Sequence, residues 1–231
     1  KSVYRMELAK IRFHKDAMKL IIRYGLPSGL QNSIIAIANV VVQSNINAFG
    51  EMAMAGCGAF SKIEGFAFLP VTSFTMALTT FVGQNLGASQ YERTRKGAKF
   101  GILCSMILAE IIGILIFIFA PVLIAAFNNE PQVVLYGTQR ARYAALFFCL
   151  LSYSHCVSAI LRGAGKSMVP MLVMLVCWCL IRVSFLEIVG AFYPHIDIVY
   201  WVYPLTWTLS SIVFFIYYQK ADWLHGFGGR A

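Results

Sequence analysis

Apolar runs far longer than a soluble core requires alternate along this chain with short polar connectors. Six stand out: Leu26–Phe49, Met52–Val82, Phe100–Phe127, Tyr143–Leu161, Met168–Val189 and Ile198–Tyr218. Each is close to or above the ~20 residues that a helix needs to cross the hydrocarbon core of a bilayer. A soluble domain of 231 residues has no use for six such segments. The pattern predicts an all-α, polytopic membrane protein whose six transmembrane helices occupy residues 24–219, followed by a tail at 220–231. Residues 1–23 read as a separate basic amphipathic helix at the membrane surface. Leu8, Ile11, Met18 and Ile22 fall on one side of it, and Arg12, Lys15, Lys19 and Arg23 on the other. Gly25-Leu26-Pro27 punctuates the passage from this linker into the first span.

The connectors supply an orientation. Lys1, Arg5, Lys10, Arg12, Lys15, Lys19 and Arg23 precede the first span. Arg93, Arg95, Lys96 and Lys99 lie between the second and third, Arg162 and Lys166 between the fourth and fifth, and Lys220 and Arg230 after the sixth. The alternate connectors, around Gly50–Glu51, Asn128–Pro131 and Ala191–Asp197, carry no Lys or Arg. Basic loops stay cytoplasmic, so both chain ends are expected on the cytoplasmic side of the cell membrane. An even number of crossings demands the same.

Composition agrees with the lipid bilayer as the chain's solvent: 59% of residues are hydrophobic and the mean hydropathy is +0.70. The net charge of +9 is no sign of nucleic-acid binding, because all the basic residues except Lys62, Arg140, Arg142 and Arg182 belong to the connectors and ends just named. The cysteines lie in or near apolar spans without a C-x-x-C pair, and read as small hydrophobes rather than metal ligands or disulfide partners. No metal site and no cofactor is expected.

Candidate chemistry lies within the spans. Asn32, Asn39 and Gln43 share one face of the first span, with Asn47 nearby; amides in hydrocarbon must find partners, so this face is expected either to line a substrate cavity or to bond neighbouring helices. The second span carries Lys62, Glu64 and the hinge candidate Pro70. Glu110 sits near the middle of the third. Intramembrane carboxylates are functional candidates, which makes Glu64 and Glu110 candidates for ion coupling, with His155 as a third. Arg140 and Arg142 are expected to snorkel outward, and Tyr200, Trp201, Tyr203 and Trp207 to form an interfacial aromatic belt. Arg162-Gly163-Ala164-Gly165-Lys166-Ser167 ends like a phosphate-binding loop but has Ile160 where a glycine is required, and it reads as a tight turn. No H-E-x-x-H, paired aspartates or metal-spaced His/Cys set points to an enzyme.

Three stretches, in order and at membrane-helix spacing, resemble the C-terminal half of the multidrug and toxic compound extrusion (MATE) transporters. They are Gly25-Leu26-Pro27-Ser28-Gly29-Leu30-Gln31 continuing to Gln43–Gly50, Gly83-Gln84-Asn85-Leu86-Gly87-Ala88, and Leu161–Ser167. The resemblance covers essentially the whole chain. It implies one six-helix lobe of a two-lobe, twelve-helix protein that exports cationic amphiphilic compounds in exchange for protons or sodium ions. It also implies a partner: a missing N-terminal lobe of the same chain, consistent with the start at Lys1, or a second six-helix lobe. In the sodium-linked branch, carboxylates stand where this chain has Ile35 and Leu151, which weakens sodium coordination within this lobe. The alternatives are a lipid-linked oligosaccharide flippase of the same superfamily, disfavoured by the mixed intramembrane charges, and a structural membrane subunit.

Overall fold

The computed structural model describes residues 14–225 of the chain. Helix α1 spans Lys15–Asn47, α2 Glu51–Gly87, α3 Tyr91–Ala125, α4 Pro131–Ala145 and α5 Phe148–Gly163. Helix α6 (Met168–Met174) runs through a π-helical stretch at Leu175–Leu180 into α7 (Ile181–Phe192), and α8 covers Asp197–Lys220. Five of these segments are long and apolar enough to cross a membrane: α1, α2, α3, the continuous α6–π–α7 segment and α8. The α4–α5 pair, bent by 56°, makes a sixth when counted as one broken span. The chain is a multi-pass, all-α membrane protein.

Two boundaries differ from the sequence reading. Residues 15–23 are not a separate linker helix; α1 runs unbroken from Lys15 through Pro27 to Asn47. Proline removes one donor from the ladder, and this helix absorbs the loss. Residues 1–13 of the expected linker lie outside the described residues. The fourth crossing begins at Pro131 rather than Tyr143, and it breaks after Ala145. Hydropathy missed α4 because Gln132, Thr138, Gln139, Arg140 and Arg142 give it a polar face. Arg140 of that face donates hydrogen bonds to α2 and α8, as described below.

Helix ends follow local chemistry. Pro131 opens α4 at the first position, where the missing N–H has no helical partner to lose. After α5, Lys166 N–H bonds Leu161 C=O and Gly165 N–H bonds Arg162 C=O, the paired closure of a Schellman motif. Gly165 supplies the positive φ of 76° this turn needs. The phosphate-loop look-alike is thus a helix stop.

Helices α2, α3, α4 and α5 pack on one another, and α8 lies against α5, α4 and α7. The main neighbours of α1 are α6 and the π stretch. Gly56 on α2 and Gly137 on α4 allow those two backbones to touch: a Cβ on Gly56 would lie 2.7 Å from Gly137 N, and one on Gly137 2.8 Å from Gly56 O. Small residues at such crossings are how membrane helices approach closely. Phe60, Ile116, Phe148, Ile160, Met174 and Phe214 form the larger apolar core. Val42, Ile46, Leu186, Val199 and Tyr200 form a second one beneath α1. Large apolar side chains such as Val40, Phe66, Phe100, Val122 and Phe192 remain exposed, as a lipid-facing surface requires.

Candidate functional site

An open cavity of about 360 Å³ lies where seven helical segments converge. From α1 come Ile35, Asn39 and Gln43; from α2, Ser61, Glu64, Gly65 and Phe68; from α4, Arg140. Helix α5 adds Leu151 and His155, the π stretch Trp178, α7 Arg182, and α8 Tyr203 and Trp207. Asn39, Gln43, Ser61, Glu64, Arg140 and Arg182 thereby meet in one cavity wall.

Arg140 and Arg182 dominate the electrostatics. Their exposures are 4% and 1%, so neither snorkels. Arg140 Nη1 donates to Cys57 C=O at 2.8 Å and to Ser61 Oγ at 3.1 Å, and its Nη2 donates to Tyr203 Oη at 3.0 Å. Glu64 Oε2 lies 3.9 Å from Arg140 Nη2. The expected outward escape fails because these partners lie inward, and a buried guanidinium with three hydrogen bonds is better placed than one crossing lipid. Arg182 donates to Asn39 Oδ1 at 3.1 Å and to Thr206 Oγ1 at 3.0 Å. Both guanidiniums sit against the Tyr203 ring, at 5.0 and 4.9 Å from its centroid. Arg182 also covers Trp178 at 5.0 Å, and Arg140 covers Phe60 at 5.5 Å.

The aromatic residues of α8 divide. Trp201 is exposed, as an interfacial anchor is, whereas Tyr200 and Trp207 are buried and both Tyr203 and Trp207 line the cavity. The belt reading assigned the right chemistry to only part of the cluster, because hydropathy does not distinguish which face of a terminal turn points inward. Trp178 stands on the π stretch, whose wider turn is a common accompaniment of functional sites. Its Nε1 donates to Ser210 Oγ at 3.1 Å, joining a serine cluster with Ser154 and Ser211.

The sequence-predicted residues separate into two groups. Asn39, Gln43, Glu64 and His155 come together in the cavity wall. The His155 ring packs edge-on against Phe68 and Trp178, at 4.7 and 5.4 Å. Asn32, Asn47, Pro70 and Glu110 are not among the lining residues. Asn32 is exposed, while its neighbour Gln31 is the buried amide, in reach of Ser158 at 3.5 Å. Asn47 accepts a hydrogen bond from Gln43 at 2.9 Å. Helix α2 passes through Pro70 without interruption. Glu110 Oε2 accepts the backbone N–H of Cys149 at 3.0 Å, so the carboxylate satisfies a first-turn donor of α5 at the break in the fourth span. Ile35 and Leu151, at the positions where the resemblance implies carboxylates, do line the cavity.

Five helices long enough to cross a membrane, a sixth crossing broken at α4–α5, and a polar, arginine-bearing cavity define the class as a polytopic all-α membrane protein. The MatE family model matches residues 27–186, and the chain belongs to the MatE family. It is 26% identical over 204 residues to the probable multidrug resistance protein YpnP of Bacillus subtilis, covering 88% of this chain and 46% of that protein. It is 24% identical over 220 residues to the probable multidrug resistance protein YoeA of the same organism, covering 90% and 45%. The fold matches a crystal structure of MATE in the straight conformation with a TM-score of 0.84 at 19% identity, over 93% of this chain and 48% of that one. The chain thus spans about half the length of the relatives it matches.

Proposed function

We propose that this lobe works within a secondary-active efflux transporter of the cell membrane, with its amphiphilic substrate held in the cavity between α1, α2 and α8. The single observation that carries this is the cavity itself: buried, hydrogen-bonded arginines, a carboxylate and aromatic side chains converging in a lipid-embedded lobe of the MatE fold. A lobe that is about half the length of its relatives is completed by a second lobe, either an N-terminal one or another copy. The relatives' names support multidrug export, and the family resemblance implies cationic amphiphilic substrates exchanged for protons or sodium ions.

Glu64 is the coupling candidate that the geometry supports best, because it is the carboxylate that shares the cavity with the arginines. Gain or loss of a proton or ion at Glu64 changes what Arg140 faces, and a coupling group must bias two states in that way. The basic connectors support a cytoplasmic position for both chain ends. In the test, cells making the protein in its native assembly are loaded with a panel of cationic, zwitterionic and anionic fluorescent dyes. Expulsion of at least one dye, abolished by a proton or sodium ionophore, is the expected result. Unchanged retention across the whole panel overturns the reading.

A further inference from the structure

We propose that Arg140 and Arg182 form a binding site for the anionic group, a carboxylate or a phosphate, of an amphiphilic organic solute. The proposal rests on the transporter reading and specifies the charge of what the cavity takes. Among the described residues, the Arg, Glu and His side chains that line the cavity are Arg140 from α4, Arg182 from α7, Glu64 from α2 and His155 from α5. Asn39 and Gln43 of α1 and Tyr203 of α8 are neutral. One carboxylate therefore stands against two guanidiniums. Glu64 is at 3.9 Å from Arg140, whereas the hydrogen bonds of Arg182 go to neutral acceptors, Asn39 and Thr206. The Nε groups of both arginines are buried and without a protein acceptor. Buried cationic charge within a membrane is costly unless an anion answers it.

The same geometry disfavours a simple organic cation at this spot. Aromatic faces are the usual seat for such cations. Here Tyr203 already carries both guanidiniums and Trp178 carries Arg182. The guanidinium fork instead matches the two oxygens of a carboxylate or phosphate. Phe68 and Trp207 leave room beside it for an apolar body, in a volume typical of small-molecule sites.

The test measures fluorescence anisotropy of carboxyfluorescein, an anion, and rhodamine 6G, a cation, on the purified protein in its native assembly. Carboxyfluorescein is expected to bind. Arg182→Gln should weaken it by about tenfold or more, and Arg182→Lys should restore part of the loss. Glu64→Gln, which removes the competing carboxylate without removing an arginine, should tighten it and needs no arginine variant to fold. Unchanged carboxyfluorescein affinity in Arg182→Gln, or weakening in Glu64→Gln, overturns the anion site. Binding of rhodamine 6G alone by the unaltered protein overturns it too, but leaves the transporter reading standing. Failure to bind either dye, together with no dye export from cells, overturns both. Repeating the measurement in nanodiscs of phosphatidylcholine with and without phosphatidylglycerol identifies the source. Undiminished binding with phosphatidylglycerol shows a solute site, and competitive loss shows that a lipid headgroup satisfies the same arginines.

Discussion

Arg182 on α7 donates a hydrogen bond to Asn39 on α1 at 3.1 Å, and this contact ties a helix with few other polar anchors to the cavity wall. Helix α1 leans mainly on α6 and the π stretch and meets α2, α7 and α8 more sparingly. Replacing Asn39 with Leu removes an acceptor from a buried charge, a loss of about 1.5–3 kcal/mol for hydrogen bonds of this type. Asn39→Leu is expected to reach the membrane in normal amount and to lower dye export severalfold. Gln43→Leu, at the more open rim, should do so more weakly. Full export in both variants would relegate the amide stripe to packing.

Glu110 is expected to contribute to stability rather than to ion coupling. Its carboxylate satisfies the Cys149 N–H at the start of α5, a role like that of an N-cap side chain. Glu110→Ala should lower stability in detergent by about 1 kcal/mol while the ion dependence of export is preserved. A thermal unfolding scan and an export assay at two ion concentrations check the two halves of this expectation. Lost ion dependence in a well-folded Glu110→Gln variant would return the residue to the coupling candidates.

The α2–α4 crossing tolerates no side chain at its centre. A Cβ on Gly137 would lie 2.8 Å from both Gly56 O and Ile124 Cγ2. Gly137→Ala should destabilise the lobe by about 1–3 kcal/mol, the range for overpacking a filled site. Gly25→Ala, where no atom lies within 4 Å of the added carbon, is the matched control and should be close to neutral. Comparable loss in both variants would show that helix crossing has little to do with the effect.

Ser89 ends α2 with a φ of 55°, a left-handed conformation that costs a residue with a Cβ about 1–2 kcal/mol. Its N–H still closes the turn onto Leu86 C=O, and Gln90 N–H reaches Asn85 C=O at 2.8 Å. Glycine at this exposed position keeps both bonds and relieves the strain. Ser89→Gly is therefore expected to raise the unfolding temperature without altering export. A lower unfolding temperature would mean that the serine side chain contributes something the turn geometry does not require.

Much of the architecture was legible in the sequence because lipid imposes a simple rule on it: a helix crossing hydrocarbon must be apolar and about 20 residues long. That rule located α2, α3, α6–α7 and α8 to within several residues at most ends. It failed on α4, whose Arg140 and Gln139 make it look like a loop. It also failed at residues 15–23, where charge suggested a surface helix and the backbone continues as α1. In the cavity, spacing along α1 correctly grouped Asn39 with Gln43. Asn32 and Asn47 share that sector but are not among the residues that line the cavity.

The sequence by itself determined the solvent of this protein, its helical class and its membership of a transporter family, since hydropathy, charge alternation and short motifs are local properties of the chain. The tertiary structure alone decided which polar residues work together. Arg140 and Arg182 are 42 positions apart and look unrelated in the sequence, yet both rest on the ring of Tyr203. Glu64 and Glu110 look alike as intramembrane acids, yet one faces the arginines and the other closes a helix end. The reason is physical: the cost of a buried charge depends on the groups that surround it, and helix packing, not sequence spacing, chooses those groups.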